Sequence, residues 1–464
     1  MEREKKDQIQ VINYRKHGDW TVLVFLAGDN NLNEECLYAL TEMKQVNFDG
    51  KIKVLAQFDP RGVSIPTKRY YINNPRFHTR RSNAPSYNDL QEDEVMVLEG
   101  EANMGCPETL LRFILWGIRT YPADHYMIVL CGHGNGTDDD YLMKDENPPD
   151  ALSVPELRWV FDSIKDEFPD LTIDILGFDA CMMSMAEVLY ELRGSIDYIV
   201  GSEGYGRNAG WPYRDILSEL NHETDMPPEK LARIIVEKYI KFYKNYVYAG
   251  VSVDQSALKV KEFENIKNAV RRLVQVIKPR LSNDNFKKAL ILAHWETQSY
   301  GGEVFVDISD FCKRLRYFYD ESLVQIACRN VESAVRRCCL KSCTSGAAFQ
   351  YSYGISMYFP WNYVAPHYRN IDFSKDSEWL SFLQQYVIKT RRRPRTKDIV
   401  RADKAGVRDR STPPDSKGPD GRVYSMRNPP DIFISRNCEA EGCMPEKQAS
   451  KKPARGKKSP AKNA

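Results

Sequence analysis

From Asp19 to about Leu220, short apolar runs alternate with stretches whose apolar residues recur at helical spacing. The runs are Thr21–Gly28 (TVLVFLAG), Lys51–Asp59 (KIKVLAQFD), Tyr126–Gly132 (YMIVLCG), Thr172–Asp179 (TIDILGFD) and Tyr198–Gly201 (YIVG). Most are nearly continuous in apolar residues, which suits strands buried on both faces of a parallel sheet. Helical periodicity falls between them at Leu32–Val46, Glu108–Arg119, Val154–Glu167 and Ala186–Arg193. The alternation predicts an α/β unit: a mostly parallel sheet covered by helices on both faces.

The pattern breaks at Asn221–Pro228 in polar residues and prolines. A long helical stretch follows from Glu229 to about Tyr248, then strand-like Val251–Asp254, helical segments to about Arg280, and FVDISDFCKRL from Phe305. A late apolar run, Ile355–Pro360 (ISMYFP), is suited to join or flank the main sheet. The expected organisation is an N-terminal segment (1–18), the α/β unit (19–220), a second α/β unit with helical character (221–388) that contributes a late strand, and a tail (389–464).

Charge separates the tail from the rest. Residues 389–464 hold 21 Lys plus Arg against 9 Asp plus Glu, a net +12, so the chain's overall +2 leaves −10 on the body. With almost no aromatic residues, the tail has too little apolar surface to offset chain entropy and is expected to be disordered. Its lysine-rich end, KKPARGKKSPAK, suits nucleic acid or another acidic surface. The start, MEREKKDQIQ, lacks the apolar stretch of a secretory signal, and no segment approaches the ~20 apolar residues of a membrane span. A cytoplasmic protein without a membrane span is therefore expected, its eleven cysteines reduced. Cys438 and Cys443 have no further ligands nearby that would make a metal site.

Two strand ends carry candidate chemistry. One finishes CGHGNG, placing His133 between glycines, and a later one finishes GFDAC, placing Cys181 at the corresponding edge. In a parallel sheet, catalytic groups collect at the carboxyl ends of strands, so neighbouring strands would set a thiol beside an imidazole. A free thiol has a pKa near ~8.5 and needs a nearby imidazole or the positive end of a helix to ionise at neutral pH. A helix over Met182–Leu192 would supply that end. The amides of Gly134 and Cys181 are candidates for an oxyanion hole, and the chemistry these groups suit is acyl transfer. GHGNGT has no lysine placed for phosphate, and no HExxH, serine-elbow or zinc-finger spacing occurs, which disfavours nucleotide and zinc chemistry.

These residues sit in a wider resemblance. DWTVLVFLAGDNNL, VLCGHGNG, GFDACMMSMAEVLYEL, GSEGYGRNAGWPY and ISMYFP make the chain similar to the clostripain family of cysteine peptidases, relatives of caspases, legumains and gingipains, over roughly residues 19–388. The resemblance implies a caspase-like fold, a His133–Cys181 dyad acting on protein or peptide substrates, and Asp179 near the substrate pocket. It also implies cleavage after Arg or Lys, which needs carboxylate at the pocket floor. Ala209 stands where the family's second acid is expected, leaving Glu203 as a substitute if it turns inward. Family members are matured by a cut between the His and Cys strands. The segment YLMKDENPPDALS reads as an exposed loop there, with Lys144 as a self-cleavage position and Asp150 as a position for another activating protease. No cofactor is required, but calcium responsiveness in the family draws attention to Asp138, Asp139 and Asp140. Control by a regulatory partner, and an inactive scaffold acting through the basic tail, are the remaining expectations.

Overall fold

The computed structural model describes residues 17–390, apart from 63–64, 74, 76–86, 138–140 and 208. Its strands in chain order are β1 (Gly18–Gly28), β2 (Ile52–Pro60), β3 (Lys68–Tyr71), β4 (Glu94–Val97), β5 (Ala123–Cys131), β6 (Leu142–Glu146), β7 (Pro149–Leu152), β8 (Ile173–Asp179), β9 (Ile196–Gly201), β10 (Val253–Lys259), β11 (Ser299–Tyr300), β12 (Phe305–Asp307), β13 (Cys339–Ser345) and β14 (Ser356–Tyr358). Nine of them form one sheet in the order β13-β10-β9-β8-β5-β1-β2-β3-β4. The five central strands, β9 to β2, run parallel, and antiparallel pairs close both edges.

The apolar runs sort onto two faces with the two-residue period of a strand. In β1, Trp20, Val22, Val24 and Leu26 enter one buried cluster, while Leu23, Phe25 and Ala27 enter the other. Helices Asn33–Met43, Tyr213–His222 and Pro228–Tyr243 cover the first cluster. Helices Pro107–Thr120, Val154–Glu167 and Phe263–Arg280 cover the second. Val154–Glu167 is helical over the span its periodicity predicts. Ser153 and Glu156 close a capping box at its start, and Val154, Leu157, Val160, Phe161 and Ile164 form its buried stripe.

The region after residue 220 adds to this sheet. β10 and β13 extend it beyond β9, and the second apolar cluster runs on from Leu23 to Tyr386. The late run Ile355–Pro360 flanks the sheet instead of joining it. β14 pairs with β12 in a separate three-stranded sheet, and Ser356 N–H donates to the Ser184 carbonyl (2.9 Å). The strand expected at Val251–Asp254 runs later, over Val253–Lys259, because it follows its partner β9. The second unit, expected to end at residue 388, closes with a helix that runs on to Thr390. Residues 391–464, most of the tail expected to be disordered, lie outside the described residues. No described helix is long and apolar enough to cross a membrane, and none of the nine described cysteines is in a disulfide.

Candidate active site

Strand register sets the centre of the site. β5 and β8 are parallel neighbours with Cys131 opposite Asp179, so His133 and Cys181 each follow a paired residue by two positions. The chain ends stay together beyond the strands: Gly132 N–H donates to the Asp179 carbonyl (3.3 Å), and a Cβ at Gly134 would stand 2.7 Å from the Cys181 carbonyl oxygen. Only glycine permits that approach. His133, Gly134 and Cys181 therefore share one rim, with both side chains half-buried.

A third strand end orients the imidazole. In the turn after β1, Asn31 Oδ1 lies 2.8 Å from His133 Nε2, and the Tyr141 ring is centred 6.0 Å from the imidazole. With the amide oxygen as acceptor, Nε2 carries the proton and Nδ1 is the acceptor nitrogen. The turn is itself fixed, because the buried Asn30 donates to the carbonyls of Ala27 (3.0 Å) and Lys144 (2.7 Å). Asn31 was not among the residues the sequence singled out. Its signal is its place in DNNL, directly after a buried strand.

The helix expected to follow Cys181 at once does not. Residues 182–185 are irregular, and the helix is only Ala186–Glu191. A short dipole starting five residues from the thiol falls off too quickly to govern its ionisation.

Asp179, at the end of β8, anchors the next loop. Its Oδ2 accepts from Trp211 N–H (3.1 Å) and the Tyr213 hydroxyl (3.0 Å), and Gly210, at φ +62°, lies so close that a Cβ there would be 2.8 Å from Oδ2. Burial pushes its carboxyl up to about 6 against those hydrogen bonds. The same loop passes the thiol, since a Cβ at Gly206 would stand 3.8 Å from Cys181 Sγ. Ala209 is exposed on it and brings no carboxylate, while the Arg207 guanidinium donates to the Ser252 carbonyl (2.8 and 3.2 Å).

Glu203 does turn inward, but it joins a buried acid group. It is fully buried, its Oε1 accepts from Gly354 N–H (2.6 Å), and its own N–H donates to Asp254 Oδ2 (2.6 Å). Burial, then Asp307 and Asp254, raise its carboxyl well above the usual range. In this conformation it offers no carboxylate to a bound side chain.

The segment read as an exposed loop is a β-hairpin. β6 and β7 pair antiparallel, Leu142, Met143, Asp145 and Leu152 are buried, and Gly134 bridges to Leu142. Lys144 is half-buried with its carbonyl held by Asn30, whereas Asp150 is exposed and accepts from Asn103 (2.6 Å). The apolar pairs at either end of YLMKDENPPDALS, Leu142–Met143 and Ala151–Leu152, were the overlooked strand signal. Asp138, Asp139 and Asp140 lie outside the described residues. Elsewhere Asp29, Asp59, Glu101 and Asp145 bring ligand oxygens within 4.8 Å of one another.

The sequence pattern of the Clostripain family fits residues 24–386, more than half of the chain. The chain belongs to the clostripain family. Clostripain of Hathewaya histolytica is 25% identical over 369 residues, covering 65% of this chain, and the chain spans 66% of the length of that relative. Two solved structures share the fold. A secreted C11 cysteine protease from Bacteroides thetaiotaomicron, in complex with an irreversible peptide inhibitor, matches with a TM-score of 0.58 at 19% identity, covering 78% of this chain and 100% of that one. An inactive zymogen C11 protease from Parabacteroides distasonis matches with a TM-score of 0.54 at 21% identity, covering 78% and 98%. The clostripain pattern reaches from β1 into the last helix, so it takes in both the rim and the strands added after residue 220.

Proposed function

We propose that this chain is a cysteine endopeptidase in which Cys181 is the nucleophile and His133 the acid and base. The observation that carries this reading is the matched register of His133 and Cys181 on adjacent parallel strand ends, with Asn31 orienting the imidazole. Cys181 Sγ, its proton taken by His133, attacks the scissile carbonyl carbon. The N–H groups of Gly134 and Cys181 receive the developing oxyanion. His133 then gives the proton to the departing amine, leaving an acyl-enzyme. The same imidazole next deprotonates water, which displaces the thiolate and releases the acid product.

Asp179, which anchors the loop that passes the thiol, favours a basic residue on the acyl side of the cut, with Ala209 contributing no second charge. Maturation is a cut in the 141–153 hairpin, consistent with a fold relative described as an inactive zymogen. Because Lys144 sits between buried Met143 and Asp145, the hairpin must open locally before the bond after Lys144 enters any active site. Self-cleavage there predicts that Lys144→Ala stays uncut, while unchanged processing assigns the cut to another position, such as Asp150, and to another protease.

The decisive experiment is a thiol-reactive peptide probe with a basic first residue. Labelling at Cys181, lost in Cys181→Ala and kept in Cys106→Ala, supports the peptidase. Peptide turnover surviving in Cys181→Ala sinks it. No labelling before or after processing favours a scaffold working through the basic tail.

A further inference from the structure

The main-chain ladder between β9 and β10 stops short of the rim. Its last pair is Ser256 with Gly201, and continuing that register would set Asp254 opposite Glu203. There a side chain takes over from the backbone. Asp254, which is buried, accepts from Glu203 N–H at Oδ2 (2.6 Å) and from Gly204 N–H at Oδ1 (3.0 Å). A Cβ at Gly204 would stand 2.7 Å from Oδ1, so glycine is what lets the carboxylate come this close. Two neighbouring N–H groups need two acceptor atoms on one flat group, which a carboxylate offers and an amide does not.

The other edge of the same short segment holds the turn that carries Cys181. Met182 N–H donates to the Gly204 carbonyl (2.9 Å) and Ser184 N–H to the Ser202 carbonyl (3.0 Å), two rungs spaced as in an antiparallel pair. The Ser202 hydroxyl lies 3.2 Å from the Gly204 carbonyl oxygen and 3.5 Å from that of Ala180, whose peptide unit contains the Cys181 N–H. Met182 sits at φ +56°. That left-handed conformation is unfavourable for a residue with a side chain and persists only where its surroundings impose it. Residues 202–204 are those surroundings.

The geometry points to Asp254 as a positioning residue for peptide hydrolysis. Through residues 202–204 it holds the peptide units on either side of Cys181, and with them the N–H that receives the oxyanion. The inference rests on the peptidase reading above and adds a residue to it. Without the carboxylate, two buried N–H groups lose their acceptor, the segment relaxes, and Met182 is released from its turn. An oxyanion donor is effective only where it meets the charge as it develops, so a small shift of the Cys181 N–H weakens it. The thiol itself keeps His133 as its base.

The test compares peptide turnover with simple alkylation, in the full chain brought to the same state of processing in every variant. In alkylation by iodoacetamide, Cys181 Sγ bonds to the CH2 carbon as iodide leaves, so no oxyanion forms and the N–H is not needed. Turnover is counted per site titrated to completion with the thiol-reactive peptide probe, so unfolded molecules do not pass for slow ones. Alkylation at Cys181 is timed by mass spectrometry. Asp254→Asn keeps the shape but removes one acceptor; kcat should fall about tenfold to a hundredfold with KM nearly constant, and the alkylation rate should stay within about twofold. Ser202→Ala removes one hydroxyl and keeps every backbone rung. It should lower kcat about threefold to tenfold in the same way, and it carries the test if Asp254→Asn does not fold. An unchanged kcat per site in the folded variants overturns the role. Alkylation that slows in step with turnover also overturns it, because the loss would then lie in the thiol and imidazole. Absence of wild-type turnover, or turnover kept in Cys181→Ala, is instead a failure of the peptidase reading, and this inference falls with it.

Discussion

Two groups of buried carboxylates flank the rim that carries His133 and Cys181, and they are finished differently. Along the sheet, Glu203, Asp254 and Asp307 lie on the β9–β10 side, and Asp29, Asp59, Glu101 and Asp145 on the β1–β2 side. The first group is closed by backbone donors. Asp254 accepts from Glu203 and Gly204 N–H (2.6 and 3.0 Å), Asp307 from Asp310 and Tyr353 N–H (2.6 and 2.5 Å), and Glu203 from Gly354 N–H. The oxygen Glu203 has left over faces the Asp307 carboxyl, so one proton held between them satisfies both. The second group has no such closure at Asp59 Oδ2. Both groups are built from carboxylates alone, three in the first and four in the second; the supply of hydrogen-bond partners separates a closed lock from a group that keeps one buried oxygen without a donor among the described residues.

The largest effect should fall on neither group. Cys181→Ala and His133→Ala remove the reacting atoms and should lower peptide turnover by about a thousandfold or more, with little change in Tm. If either variant keeps near-wild-type turnover, the rim is not the catalytic centre and the two acid groups flank nothing that reacts.

Asn31 connects the second group to the rim. Asn31→Ala should lower kcat about tenfold to a hundredfold by releasing His133 from its orientation, with KM nearly constant and the acidic limb of the pH profile displaced. An unchanged kcat would separate the β1–β2 side from catalysis.

The closed group should answer in stability. Glu203→Ala strands Gly354 N–H and leaves Asp307 without the carboxyl that shares its proton, at a cost of about 2–4 kcal/mol in denaturant unfolding. Glu203→Gln mimics the protonated acid and should cost under about 1 kcal/mol. Equal losses for the two variants would mean that the pair is ionised and that the first group is not the lock its hydrogen bonds describe.

How much of this was legible in the sequence follows from what each feature depends on. The five parallel strands were readable because each is a local apolar run, and His133 and Cys181 were readable because a strand end is also local. Asn31 was not, since its role depends on β1 standing next to β5, an order that no single segment encodes. The hairpin was misread because Asn147, Pro148 and Pro149 outweighed the apolar residues at either end of the segment, yet Asn147 and Pro148 form its turn and Pro149 opens β7. Whether Glu203 turns inward was not legible because its partners, the Asp254 carboxylate on β10 that accepts from its N–H and the Gly354 N–H ahead of β14 that donates to its side chain, lie far along the chain. The four-carboxylate group is likewise assembled from four separate segments, each carrying one unremarked acid.

The smallest effect is the sharpest test of the contrast. An acid whose folded pKa is raised holds a proton that the unfolded chain releases, so its contribution to stability is full below the unfolded value and is lost as pH climbs toward the folded value. For Asp59 that window runs from 3.8 to about 8. Wild-type Tm should therefore decline across that range, with Glu203 and Asp307 adding slopes of the same sign. Asp59→Asn removes one of these contributions, so its decline should be shallower. Near pH 8 it should match or exceed wild type by about 0.5–1 kcal/mol, since a neutral amide replaces a buried charge. Parallel pH curves for wild type and Asp59→Asn would place no proton on Asp59 and erase the difference between the two groups.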